Sequence, residues 1–159
     1  DIINRARRSS ELGCAAHMRF VEDRDPSLPL VCADVDQLLQ VLLNLIKNAA
    51  EAASSDGGTI TIRTFYEHSF KMRWSDGAGQ SLPLQVEICD DGPGLPEDIE
   101  ADIFDPFVSG KENGTGLGLA LASKIINDHK GWLSVVSDPK QTVFRISLPC
   151  ASIGPYNKD

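Results

Sequence analysis

Asn113-Gly114-Thr115-Gly116-Leu117-Gly118-Leu119 sets three glycines within five residues and runs without a break into the apolar-periodic segment Ala120–His129. A glycine-rich loop that opens a helix forms an anion site. The first-turn N–H groups have no partner inside the helix, and the helix dipole adds partial positive charge there. Glycine also lets backbone approach a phosphate closely. Taken alone, the stretch is equally an ordinary turn before a helix. Other glycine loops fit it less well. A P-loop needs Ser or Thr after Gly-Lys, but Gly110-Lys111 is followed by Glu112. A dinucleotide fingerprint from Gly114 or Gly116 would need Gly or Ala at Leu119 or Leu121, and a strand directly before it.

The totals set outer limits. A chain of 159 residues suits one domain, and 42% hydrophobic with 24% charged residues is the balance of a globular protein. No apolar run approaches the ~18 residues of a membrane span, and no basic-then-apolar start resembles an export signal. The expected location is therefore the cytoplasm. The first residue is Asp1, not Met, so the chain is read as a piece of something longer. A net charge of −8 argues against nucleic acid as a partner. It also means that any bound phosphate must be held by backbone N–H groups, a metal and a few local cations. Cys14, Cys32, Cys89 and Cys150 form no C-x-x-C, and His17, His68 and His129 make no ligand spacing with them. They read as reduced, packed cysteines, not as a zinc or thiol site.

Periodicity places the elements. Residues 2–12 are basic and weakly amphipathic, with Arg5, Arg7 and Arg8 forming a solvated face or, less simply, a surface for an acidic partner. Ala16–Glu22 alternates loosely, as a strand does. Asp34 and Gln37 form a capping pair for a helix whose apolar stripe runs Leu38, Leu39, Leu42, Leu43, Leu45, Ile46, Ala49, Ala50, Ala53. Gln40, Asn44, Lys47, Asn48 and Glu51 share the opposite face. Thr59–Phe65 and Leu84–Asp90 read as strands that pair, separated by a polar loop over residues 68–81. Pro96 at the first helical position starts a short helix to about Ile103. Phe104–Asn113 reads as a lid anchored by two aromatic rings. Gly131 is the expected left-handed residue closing the last helix, and residues 132–137 and 142–148 form a hairpin. Residues 151–159 are expected to be a frayed tail.

Two further stretches give the glycine loop its meaning. In Asn44-x-x-x-Asn48, two amides one helical turn apart can aim at one ion, and a neutral amide oxygen suits Mg²⁺ when phosphates carry the charge. In Asp90-x-Gly92-x-Gly94, a carboxylate ends a buried strand before a turn that no side chain blocks. Being acceptor-only, it would recognise an exocyclic amine such as adenine's. The plainer readings are solvated asparagines and a simple Asp-Gly turn.

In this order and spacing, the stretches resemble the catalytic ATP-binding domain of bacterial sensor histidine kinases. That group belongs to the ATPases that include gyrase, Hsp90 and MutL. Asn44–Ala52 is similar to the N box, Asp90–Gly94 to the first G box, Phe104-Asp105-Pro106-Phe107 to the F box and Gly114–Leu119 to the second G box. The likeness covers about residues 16–149. Within the group it most resembles the nitrogen-regulatory sensor kinases, on Asp25–Pro29 and Phe107–Lys111.

The resemblance implies an α/β two-layer sandwich, the Bergerat-type ATP-binding fold, with a mixed sheet of about five strands and three helices on one face. Residues 16–150 would be the ATP-binding domain, preceded by a helix or linker (residues 1–15) from a dimerisation segment. It implies that Asp90 accepts from the adenine amine, partly through water shared with Thr142, beside Gly92, Gly94 and Leu95. Asn48, with Asn44 near it, would hold Mg²⁺ and phosphate. Backbone N–H groups of the Gly114, Thr115, Gly116, Leu117, Gly118 and Leu119 run would cradle the phosphates. Lys47 or Lys111 would offset their charge, with Asn44, Asn48 and Lys111 as the catalytic set, and Phe104 and Phe107 would seat the lid.

Two positions depart from the family pattern. Glu51 stands where many members carry Lys or Arg, and His129-Lys130-Gly131-Trp132 replaces His-x-Gly-Gly. Related ATPases that hydrolyse ATP with their own activated water carry Glu in place of Asn44, so the resemblance implies transfer to an outside nucleophile. None of His17, His68 or His129 stands in the acceptor context His-Glu/Asp-x-x-Asn-Pro. The expectation is therefore a monomeric ATP/ADP-binding fragment that cannot phosphorylate itself. Its partners would be a histidine-bearing dimerisation domain and, through the whole kinase, a response regulator. The competing readings are an adaptor that binds nucleotide without transfer, and an ATPase of the Hsp90 or MutL type.

Overall fold

The computed structural model describes residues 1–106 and 117–151. Its centre is helix α2 (Val35–Ala52), capped by the Asp34 carboxylate, which accepts from the Gln37 N–H. Leu38, Val41, Leu42, Leu45, Ile46, Ala49 and Ala50 are buried along one side. Lys47 and Glu51 are exposed and Asn44 and Asn48 half-buried along the other. The sequence reading of this helix holds almost to the residue.

Helix α1 (Ile2–Glu11) is capped by Asp1 and lays Ala6 and Ser10 into the same core. Of its arginines, Arg5 and Arg8 are exposed and Arg7 is half-buried. Arg7 pairs with Glu11 at 3.1 Å, and Arg24, on the following strand, reaches Asp1 at 2.5 Å.

Five strands form one mixed sheet in the order β1-β2-β5-β7-β6. They are β1 (Met18–Arg24), β2 (Gly58–Tyr66), β5 (Leu84–Asp90), β6 (Trp132–Asp138) and β7 (Gln141–Leu148). Only β1 and β2 run parallel; the other neighbours are antiparallel. The first strand begins two residues later than its alternation predicts, because pairing with β2 sets its start: Met18 sits opposite Gly58 and Arg24 opposite Thr64. The core-facing residues Ile60, Ile62, Ile88, Phe144 and Ile146 pack under α2 and under α4 (Gly118–Asp128). Each such large apolar side chain contributes on the order of 1.5–3 kcal/mol of burial.

Residues 68–81, predicted as a loop, instead carry a small hairpin of β3 (Lys71–Arg73) and β4 (Gly79–Ser81). Three-residue strands are too short for alternation to show in sequence. A distant ring contact, Trp74 edge-on to Trp132 at 6.2 Å, helps hold the hairpin. Pro96 likewise sits just before the short helix α3 (Glu97–Glu100), not within it.

The end of α4 is a second correction. The left-handed residue is Lys130, at φ 58°, and not Gly131. The Lys130 N–H donates to the Asn127 carbonyl and the Gly131 N–H to that of Ile126, the paired bonds of a Schellman turn. Gly131 is needed for space: a Cβ there would lie 2.6 Å from the Ser147 carbonyl oxygen. Lys130→Gly should therefore stabilise the protein by about 0.5–1 kcal/mol, read as a rise in the denaturation midpoint.

Candidate functional site: a groove along helix α2

Two parts of the chain meet α2 along its polar strip. At its middle, the Asn44 Nδ2 donates to the Gly118 carbonyl at 3.2 Å, tying α2 to the first turn of α4. At its end, the Ala52 carbonyl lies 3.2 Å from where a Gly92 Cβ would sit, so the turn after β5 abuts the last turn of the helix. From Asn44 to Ala52 is eight residues, about 12 Å of helix. Asn48 lies halfway.

The β5 end of this line is a buried acid. Asp90 is 4% exposed. Its Oδ1 accepts from the Gly92 N–H at 2.9 Å, and no described residue hydrogen-bonds its second oxygen. Burial pushes its carboxyl above the ordinary carboxylate range, with the neighbouring Asp91 charge adding to the rise and the Gly92 N–H opposing it. Across the sheet, register sets Asp90 opposite Thr142, itself only 3% exposed. The turn that follows is tightly built. Gly94 has φ 81°, and a Cβ there would overlap the Asp138 carbonyl of the β6–β7 hairpin. Asp91 accepts from the Thr59 N–H at 2.9 Å, and the Leu95 N–H donates to Ser137 Oγ at 2.7 Å.

The α4 end offers donors. Asp carboxylates cap α1 and α2, whereas α4 begins at Leu117–Gly118 with no capping side chain and no acid in its first turn. No described side chain caps its first N–H groups, the kind of helix start where an anion binds most readily. Leu117 is 45% exposed and Leu119 half-buried. Beside them, Phe104 packs edge-on to Phe144 at 6.2 Å, anchoring the segment after α3 in the core. A groove of about 920 Å³ lies here, lined by Asn44, Phe104, Pro106, Leu117, Gly118 and their neighbours. A second, of about 450 Å³, lies beside Asp91, Gly92 and Lys140.

The site residues anticipated from sequence therefore fall into two groups. Asn44, Asn48, Asp90, Gly92, Gly94, Leu95, Phe104, Leu117, Gly118, Leu119 and Thr142 are placed at the α2 strip and the loops and strand ends around it. Lys47, also on this strip, is exposed, 3.9 Å from Glu51. Phe107, Lys111, Gly114, Thr115 and Gly116 lie outside the described residues. Sequence reading missed Asp91 and Ser137, which brace the Asp90 turn. Ser137 could have been found by counting register across the two-residue hairpin turn, which sets it opposite Thr142.

Residues 33–152 match the family model of histidine kinase-, DNA gyrase B-, and HSP90-like ATPases. This chain belongs to that family. A "Sensory histidine kinase/phosphatase NtrB" of Rhodobacter capsulatus is 62% identical over 151 residues, covering 95% of this chain and 42% of its own length. The protein of the same name from Azospirillum brasilense is 47% identical over 149 residues, 93% of this chain and 37% of its own length. The chain thus spans well under half of these relatives. Among solved structures, a nucleotide-free catalytic domain of histidine kinase ThkA superposes with a TM-score of 0.73 at 30% identity, over 93% of this chain and 90% of that one. Full-length ShkA in complex with AMPPNP superposes at 0.71 with 25% identity, over 94% of this chain and 30% of that one. The α/β fold expected from sequence is the fold of this family, and ATP use comes with membership. No helix among the described residues is long and apolar enough to cross a membrane.

Proposed function

We propose that this chain is the Mg²⁺–ATP-binding catalytic unit of a nitrogen-regulatory type sensor histidine kinase. It would hand the γ-phosphoryl group to a histidine on a separate helical dimerisation domain. One observation carries the reading: a buried carboxylate with an oxygen that no described residue engages, and a helix N-terminus that no described side chain caps, flank the same helix. The first suits an amine donor on a purine and the second a phosphate. ShkA, an adenine-nucleotide complex, shares the fold, and the relatives that match over most of this chain are named as sensory histidine kinase/phosphatases.

In this reading Asp90 and Thr142 take the purine beside Gly92, Gly94 and Leu95. The residue 114–119 run takes the phosphates, and Phe104 and Phe107 hold the segment between. Among the described residues no three His, Cys, Asp or Glu side chains gather to bind a metal. The donor set on α2 is instead amide oxygen, which fits Mg²⁺ only when nucleotide phosphates complete its shell. Asn48 would hold it. The ion would supply charge neutralisation on the transferring group, while the chain's own part is to orient and to shield. Lys111 or Lys47 would share that task. Catalysis is then positional and electrostatic. The whole kinase would act in the cytoplasm and pass the phosphoryl group to a response regulator. Residues 16–150 would form the nucleotide-binding unit and act as a monomer, and residues 1–15 would lead from the dimerisation domain; the Ala151 N–H donates to the Leu30 carbonyl at 3.0 Å, and the rest of the expected tail lies outside the described residues.

The test is a transfer assay with γ-labelled Mg²⁺–ATP and a separate dimerisation domain bearing its acceptor histidine. The expected result is acid-labile, base-stable label on that domain. Tight ATP binding with no labelled histidine would point to an adaptor. Sustained phosphate release by this chain alone would point to an Hsp90- or MutL-type ATPase.

A further inference from the structure

Resting on the purine reading of Asp90 and Thr142, we propose that Ser137 is a positioning residue that sets which base the site accepts. Register aligns Ile60, Asp90, Thr142 and Ser137 as one row across β2, β5, β7 and β6. Asp90 and Thr142 are flanked in that row by an aliphatic side chain on one side and by the Ser137 hydroxyl on the other. Ser137 Oγ accepts from the Leu95 N–H at 2.7 Å, which occupies one lone pair and fixes the rotamer. Its single hydrogen then has two acceptors in reach. Thr142 Oγ1 lies at 3.2 Å, and the Gln141 carbonyl at 3.5 Å, the outer limit of a hydrogen bond.

In the proposed arrangement Ser137 donates to the nearer of the two, Thr142. A hydroxyl that accepts through one lone pair keeps its own hydrogen to give elsewhere. Thr142 is buried, and Ser137 is its one hydroxyl partner among the described residues. Its hydrogen is thereby left for a base held beside Asp90, directly or through water. Asp90 can only accept and Thr142 is set to donate. That pair matches the edge of adenine, an amine next to a bare ring nitrogen. It mismatches guanine, whose carbonyl and ring N–H reverse the pattern. Ser137 touches no base. It acts through Thr142, with the Leu95 N–H as the brace that keeps it pointing there.

Calorimetric titration of the chain with Mg²⁺–ATP and Mg²⁺–GTP tests this, using wild type, Ser137→Ala, Thr142→Val and the double variant. Ser137→Ala should weaken ATP about tenfold and GTP by less than about threefold, so that the preference narrows. In the Thr142→Val background the same change should cost ATP less than about threefold, because residues acting as one unit are not additive. An unchanged preference in Ser137→Ala, or full additivity in the double variant, overturns the inference even if wild type prefers ATP. A wild type with no preference for ATP overturns the purine reading and the role of Ser137 together. Loss of ATP and GTP in equal measure, with a lowered Tm, would show Ser137 to be structural only and also overturns it.

Discussion

Asp90→Asn should lower affinity for Mg²⁺–ATP at least tenfold while leaving the free protein as stable as before, or more so. The carboxylate sits 4% exposed with one oxygen on the Gly92 N–H and the other without a described partner. An amide whose oxygen keeps the bond from Gly92 brings an NH₂ to the position facing the amine, losing a charge-assisted acceptor. Stability moves the other way because the ionised form is the costly one. Asp90 has its carboxyl pushed up chiefly by burial. A raised folded-state value means that the stability associated with the protonated form is complete below the unfolded value and is lost as pH rises through the folded one. At neutral pH the wild type carries that loss and the amide does not. The Tm of Asp90→Asn should therefore match or exceed wild type at pH 7, with any gap closing as pH falls into the carboxylate range. Calorimetry for binding and thermal melting across pH give both readings. A variant that binds ATP normally, or melts well below wild type at pH 7, would show that Asp90 is a structural acid.

Gly94→Ala should do the opposite, damaging stability and binding at once. At φ 81° a side chain costs about 1–2 kcal/mol. Here the added carbon would also overlap the Asp138 carbonyl and fall 2.9 Å from Ser137 Oγ. Neither is a flexible tip. Asp138 is pinned in the hairpin, its Oδ1 accepting from the Lys140 N–H at 2.8 Å and the Gln141 N–H at 3.1 Å. The turn must therefore swing away from β6, taking Leu95 off Ser137. A loss of about 3 kcal/mol in denaturant unfolding, with ATP affinity reduced beyond that of Asp90→Asn, is the expected outcome. Gly92→Ala is the control for position. A Cβ there would lie 2.8 Å from Asp90 Oδ1, but the backbone has no positive φ. Its effect on stability should be the smaller.

What could be seen in the sequence follows from the range of each interaction. Helix α2 was legible because its stripe, its Asp34 cap and its polar strip are encoded within 20 residues. Strand β5 was legible because it is bounded by turn residues. A mixed sheet was implied only by resemblance and its strand order was not read, since pairing β1 parallel to β2 depends on contacts some 40 residues apart. Three features left little local trace. The β3–β4 hairpin has strands too short to alternate and is held by a tryptophan from another part of the chain. The left-handed residue at the end of α4 is a lysine, because the glycine beside it is spent on clearance from Ser147. The brace on the Asp90 turn comes from Ser137, 42 residues further on. The candidate site was legible as residue types at spacings, whereas the bonds that aim those residues were not.

The most direct measurement is a crystal structure of the chain with Mg²⁺ and a non-hydrolysable ATP analogue. The expected result places the purine amine on the free oxygen of Asp90, Mg²⁺ against Asn48 and the phosphates at the start of α4. A nucleotide bound elsewhere, or one whose base lies away from Asp90, would contradict the assignment of this groove as the site.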